Sequence, residues 1–210
     1  MRFFIGILIA FSFGCNQPNA LTISEYIAFT QDENNGLIKK QKIGGFIFTA
    51  QLLPKTLIAL GEQQNALNNF DYEKYTNDMS NQDGVVQIKI KMESDVSNIP
   101  FLKRNSSSQK EYQNRINHLN QKINNDLKLY HGQDTLSCKY TVYERMYNMT
   151  NYNTILSVFE NIEPAQKDLK LEINGRFLNL GLLNFTFSGN DIKRIPRLKL
   201  EEYDRENQNK

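Results

Sequence analysis

The last third of the chain carries strand patterns separated by connections too short for anything but antiparallel pairing. Residues 135–147, 154–162, 169–173, 176–180 and 183–188 are rich in the β-branched, aromatic and aliphatic side chains of strands. The gaps between them are only a few residues, whereas parallel neighbours need a crossover of about a dozen or more. Asn174-Gly175 reads as one of the tight turns. Upstream, Val86, Ile88, Ile90 and Met92 alternate with Gln87, Lys89 and Lys91, so residues 85–93 form an amphipathic strand. Residues 37–53 supply one or two strands. There Phe46, Phe48, Ala50 and Leu52 alternate with Ile47, Thr49, Gln51 and Leu53, which makes both faces partly apolar and the strand central. Gly44-Gly45 marks a bulge or turn within this stretch. Residues 24–31 suit a first strand, followed by a turn at Asn35-Gly36.

Helical spacing appears twice. Leu57, Leu60, Leu67 and Phe70 place a helix over residues 55–78, opened by Pro54 and weakened at Gly61. Tyr112, Ile116, Leu119, Ile123, Leu127 and Tyr130 recur at steps of four, three, four, four and three, which is one apolar stripe. A capping box of Ser108 and Glu111 and a stop at Gly132 set that helix at residues 108–131, about 35 Å long. A short helical turn over residues 191–195 is closed by Pro196. The expected fold is α+β: a largely antiparallel sheet with a long amphipathic helix packed on one face.

The amino terminus reads Met-Arg-Phe-Phe-Ile-Gly-Ile-Leu-Ile-Ala-Phe-Ser-Phe-Gly-Cys. Arg2 adds positive charge, and residues 3–13 are an almost unbroken apolar run. That run is short of the about 20 residues a membrane span needs, and has the length of a secretory h-region. Gly14 is the small residue beside a cleavage site, and Cys15 follows it directly. The segment resembles a bacterial lipobox, in which the cysteine receives a diacylglycerol and becomes the first residue of the processed chain. Ser12 and Phe13 depart from the family's leucine and small residue; relaxed boxes of this kind are similar to those of Bacteroidota lipoproteins. The resemblance covers only residues 1–15. It implies lipidation at Cys15 and stable anchoring, since two or more acyl chains hold where one binds marginally. The first acid after Cys15 is Glu25, so the acidic cluster of surface-exposed lipoproteins of that phylum is missing. The implied address is the outer membrane, with the periplasmic face favoured over the cell surface. The chain then divides into a signal peptide (1–14), the lipidated cysteine with a short tether (15–23), a single α+β domain (24–200) and a polar tail (201–210). Residues 16–22, fully extended, reach about 25 Å, so the domain sits close to its membrane.

Composition and motifs narrow the chemistry. The formal charge is +2 with acids and bases interspersed, which argues against nucleic acid as a partner. With Cys15 acylated, Cys138 has no partner within the chain and reads as a small buried residue, sharing a strand face with Leu136, Tyr140 and Val142. Ser108 and Lys110, within Ser107-Ser108-Gln109-Lys110, resemble the Ser-x-x-Lys nucleophile motif of penicillin-binding proteins and serine β-lactamases; that motif pairs Ser107 with Lys110. No Lys-Thr-Gly or Ser-Asp-Asn element accompanies it, and helix capping accounts for the serines. His118 and His131 are the only histidines and lack metal-ligand spacing. No cofactor or metal is expected. Asp134-Thr135-Leu136 resembles the tripeptide that Bacteroidota periplasmic proteins O-glycosylate, which implies Thr135 as the acceptor in an exposed turn.

The first functional expectation is a non-catalytic, lipid-anchored accessory subunit of an outer-membrane protein assembly. Its partners would be outer-membrane proteins or other envelope lipoproteins, engaged through Tyr143, Tyr147 and Tyr152, with Tyr140 nearby. The alternative is a periplasmic carrier of a lipid or other apolar ligand, with a cavity lined by Phe46, Phe48, Phe185 and Phe187. A hydrolase built on Ser108 and Lys110 is the third; it needs both side chains to meet in a cleft.

Overall fold

The computed structural model describes residues 20–63, 70–146, 149–160 and 167–200. Two antiparallel sheets dominate it. The first is built from β2 (Ile38–Ile43), β3 (Phe46–Leu53), β4 (Val85–Ser94), β7 (Tyr140–Glu144) and β8 (Tyr152–Glu160), in the order β2-β3-β4-β8-β7. The second contains β5 (Leu127–His131), β6 (Asp134–Ser137), β9 (Leu169–Asn174) and β10 (Leu182–Phe187), in the order β10-β9-β5-β6. A third, two-stranded pairing is parallel and joins β1 (Ala20–Leu21) to β11 (Arg197–Leu198). The helices are α1 (Ile23–Gln31), α2 (Lys55–Gly61), α3 (Tyr72–Asn81), α4 (Gln109–Gln121) and α5 (Gly189–Lys193). The protein is therefore mixed helix and antiparallel sheet, with two main sheets where one was expected.

The inner faces of both sheets meet in one core. Phe46, Phe48, Ile88, Ile90 and Phe159 come from the first, and Leu129, Leu171, Phe185 and Phe187 from the second, all nearly or fully buried. Alternation accounts for the packing: along β3 each inward residue is buried and each outward one half-exposed. Phe101, from a 3-10 turn at Phe101–Lys103, wedges edge-on against Phe46 (5.4 Å between centroids) and Phe48 (6.4 Å). Helix α4 adds Ile116 and Leu119. A separate, smaller cluster joins α1, α2, α3 and β11 through Ile23, Tyr26, Ala59, Leu60, Tyr75 and Leu198.

Several expected elements take other forms. Residues 24–31 are helical, not a strand. Thr22 Oγ1 accepts from the Glu25 backbone N–H (3.4 Å), and the Glu25 carboxylate accepts from the Thr22 N–H (2.9 Å), closing a capping box. The helix then buries Ile23, Tyr26 and Thr30, a spacing of three and four. The helix expected over residues 55–78 is two helices, with Asp71 capping the second through the Lys74 N–H (2.9 Å); Leu67 lies outside the described residues. Helix α4 spans 13 residues and ends at Gln121, so the long helix over 108–131 is not formed. Its remainder is a 3-10 turn at Ile123–Asp126 followed by β5. Gly132, at φ +66°, turns the β5–β6 hairpin instead of stopping a helix. The start of α4 has half of the expected box. Ser108 accepts from the Glu111 N–H (3.1 Å), but the Glu111 carboxylate takes the Ser107 N–H (2.8 Å) and hydroxyl (2.9 Å). Residues 176–180 are not a strand. Asn174 caps a 3-10 turn at Gly175–Leu178, and Asn179 in the left-handed region returns the chain to β10. There, a Cβ on Gly175 would stand 2.8 Å from the Gly181 carbonyl, so the loop closes only around glycine.

Candidate interaction face

The strand expected over residues 135–147 is two strands, β6 and β7, in two sheets. The chain leaves the four-stranded sheet after Ser137, crosses at Cys138-Lys139, and enters the five-stranded sheet at Tyr140. The crossing resets the alternation. Cys138 is buried in the common core, whereas Tyr140 and Val142, expected on its face, stand in solvent with 51% and 49% of their surface exposed. β7 is the edge strand of its sheet. On the sheet's outer face Tyr140 lies across from Val158 and Val142 across from Leu156. These four make an apolar quartet whose β7 half is open to water. Charged residues surround it. Lys139 pairs with Glu160 (2.8 Å) near one end, and Glu144 follows Val142 at the other. Lys89, across from Leu156 on β4, is exposed.

The tyrosines expected to form the surface are divided by this parity. Tyr143 points inward and packs on the core; its hydroxyl donates to Asn153 Oδ1 (3.0 Å), and burial pushes its pKa up to about 12. It is therefore part of the core boundary, not of an exposed surface. Tyr152 is on the outer face of β8, half-buried, with the Lys91 ammonium 4.5 Å above its ring and Lys91 also paired to Glu93 (2.8 Å). Tyr147 and Cys15 lie outside the described residues. Leu156 and Val158 are the members of the face that sequence reading did not name, and the alternation places Val142 on the opposite side, with Cys138. The signal for that reversal is the polar Ser-Cys-Lys step between two runs of alternation.

The remaining candidates separate. Thr135 is exposed on the edge strand β6, paired across from Tyr130, within a strand instead of a turn. Ser108 is spent on the α4 cap, and both it and Lys110 are exposed at the helix start. The Ser107 hydroxyl donates to the Glu111 carboxylate (2.9 Å), one turn further along α4. His118 Nε2 pairs with the Asp126 carboxylate, and its ring stacks on Phe177 at 4.8 Å and 7°. These contacts tie α4 to the two 3-10 turns that follow it in space. A pocket of about 350 Å³ beside this pair is lined by Glu111, Asn114, Arg115, His118, Phe177 and Asn179, none of which is a hydroxyl or thiol nucleophile. Among the described residues no group of three or more His, Cys, Asp or Glu is placed to hold a metal ion. Cys138 Sγ lies 3.2 Å from the Tyr140 carbonyl and 3.6 Å from that of Val158, and burial raises its pKa. Phe46, Phe48, Phe185 and Phe187 are all buried members of the core, and the first two close on Phe101. No helix among the described residues is long and apolar enough to cross a membrane. In comparisons with protein-family models, with curated proteins and with solved structures, the chain matches none of them.

Proposed function

We propose that this chain is an exported lipoprotein, anchored through Cys15 to the outer membrane on its periplasmic side. There it serves as a non-catalytic accessory subunit that binds a protein of the same envelope. The observation that carries the binding part is the pair of large apolar side chains, Tyr140 and Val142, held half-exposed by what is, among the described residues, an edge strand. An edge strand with an apolar outer face invites association unless a partner covers it. The charges around the quartet are of both signs, which suits a protein surface with an apolar centre and a polar rim. The lipobox-like residues 1–15 support the anchoring part, and the short segment before α1 keeps the domain near the membrane where such a partner resides.

The magnitude follows from area. An aromatic side chain buries about 150–250 Å², so covering the open half of Tyr140 removes about 100 Å² from water. At about 25 cal/mol per Å² that is about 2.5 kcal/mol, or about 60-fold in affinity. The test is to purify the Cys15-anchored chain from its native envelope in mild detergent, alongside Cys15→Ala and Tyr140→Asp/Val142→Asp versions, and to identify stoichiometric companions by mass spectrometry. A companion retained by the parent and lost from the double variant supports the reading. The same companion retained by all three versions, or none with the parent, overturns it.

A further inference from the structure

The two hydrophobic clusters meet at the half-buried Ile195, which packs on both, but their buried residues stay separate. Between them lies a cleft of about 890 Å³, within the size range of small-molecule sites. Leu52, Val86 and Ile192 of the large core form one wall. Tyr26, Tyr75 and Leu198 of the small core form the other. The polar groups on the helical wall are few and converge from three helices: the phenol of Tyr26 on α1, the hydroxyl of Thr56 on α2 and the phenol of Tyr75 on α3. The Tyr26 side chain is fully buried, and its hydroxyl has no partner in hydrogen-bonding geometry. Thr56 is near enough to act on both phenols without coming within hydrogen-bonding geometry of the Tyr26 hydroxyl. A buried hydroxyl without a partner is destabilising and calls for a reason.

We propose that this seam is a binding site for an uncharged amphiphile whose carbonyl or hydroxyl oxygen pairs with the Tyr26 phenol while its apolar body lies between the two cores. The headgroup is uncharged because the cation on the helical wall, Lys55 of α2, is exposed and already paired with Asp83. The charged residues lining the cleft are Lys55, Asp83 and Arg197; Lys55 and Asp83 pair with each other at 2.9 Å, and all three are exposed. A carboxylate carried to Tyr26 would lose its water and gain no cation. Burial holds both phenols above their ordinary pKa, so they meet a ligand as neutral hydroxyls. The site is distinct from the outer face of β7 and does not depend on the protein partner.

The experiment uses the full-length chain in phosphatidylcholine vesicles and two photoactivatable twelve-carbon probes, an alcohol and the matching carboxylate, with labelled peptides mapped by mass spectrometry. Saturable labelling is expected on peptides carrying Tyr26, Leu52 to Thr56, Val86 or Leu198, and the alcohol should half-saturate at the lower concentration. Tyr26→Phe should raise the alcohol's half-saturation about three- to tenfold, the effect of one lost hydrogen bond. Its thermal midpoint without probe should be unchanged or higher, because the substitution removes an unsatisfied group. Labelling that does not saturate, labelling confined to other peptides, a tighter carboxylate, or an unchanged half-saturation in Tyr26→Phe overturns the proposal. So does a lowered midpoint, which would give the hydroxyl an internal partner.

Discussion

Arg115 is the buried cation on which the α4 region depends, and its replacement by methionine provides the sharpest test of the fold. The side chain is 1% exposed. Nη1 donates to the carbonyls of Leu102 (3.2 Å) and Arg104 (2.6 Å), and Nη2 to that of Asn105 (3.2 Å) and to the Glu111 carboxylate (2.6 Å). The guanidinium thus fastens the segment after Phe101 to α4, and with it the wedge against Phe46 and Phe48. Methionine keeps an apolar stem of similar length and removes only the fork. The Leu102 carbonyl then loses a partner in a buried setting, at about 1–3 kcal/mol. The Arg104 and Asn105 carbonyls are nearer solvent and recover water, so each loses about 0.5–1.5 kcal/mol. Relief of the guanidinium's desolvation works in the opposite direction and is the reason some buried ion pairs are replaced without loss. Here it does not win, because the acceptors left behind are backbone groups that cannot be substituted away. The net expectation is a loss of about 3 kcal/mol. In urea unfolding followed by circular dichroism the midpoint should fall with no change in slope, and the melting temperature should drop by about 6–12 °C. Arg115→Lys should lie between parent and Arg115→Met, since an ammonium cannot span the same carbonyls. A loss under about 1 kcal/mol, or a gain, would refute the view that this cation organises the loop.

Three further outcomes are expected. Thr22→Ala removes the side-chain half of the α1 capping box and should cost about 1 kcal/mol in urea unfolding; an unchanged midpoint would mean that α1 is held by packing alone. The Ser107 backbone N–H, then its hydroxyl and Arg115, hold the Glu111 carboxyl below its ordinary pKa, so its ionised form adds stability that is complete above the unfolded-chain value of about 4.3 and is lost as pH falls through the lower folded value. Glu111→Gln should therefore flatten that part of the acid limb, and superimposable acid limbs would contradict the assignment. In a Cys15→Ala background the Cys138 thiol, buried and raised in pKa, should react with a thiol reagent only as fast as the protein opens, and faster as urea is added; full reaction at once in the native state would refute its burial.

What could be read from the sequence tracks where local pattern and tertiary contact agree. β4 was readable because Val86, Ile88, Ile90 and Met92 are buried on the face the alternation assigned to them. Residues 24–31 misled because Tyr26 and Ala28 alternate with Ile27 and Phe29 in a way that suits a strand. The counter-signal, Thr22 and Glu25 at capping-box spacing, lies outside the apolar alternation. In residues 108–131, Ile123 and Leu127 fit the helical stripe by coincidence. Leu129 is the residue that breaks it: it lies off the stripe, yet it is fully buried, because Leu127 and Leu129 face inward from a strand while Lys128 faces out.

The interaction face and the cleft were hidden for two different physical reasons. The face depends on parity, and parity is conserved only within a continuous strand. Once the chain passes between sheets at Cys138-Lys139, every assignment downstream reverses, so Tyr143 turns inward and Val142 outward. Its one trace in the sequence is the Ser137-Cys138-Lys139 step between two runs of alternation, which does not by itself say that the chain changes sheet. The cleft depends on a different situation, two cores that meet only in part, at Ile195. Tyr26, Thr56 and Tyr75 are separated by more than a full helix in sequence, and each looks like an ordinary member of an amphipathic stripe. What distinguishes Tyr26 is only that its hydroxyl is buried and unmatched, a property of the assembled fold. Arg115 carries the same lesson with its two terminal nitrogens partnered: beside Ile116 on the helix it reads as a solvent-facing polar residue, yet three backbone carbonyls draw it inside. Buried polar groups are therefore the positions where the sequence pattern fails, and in this chain they mark both the joint that holds α4 and the site offered to a ligand.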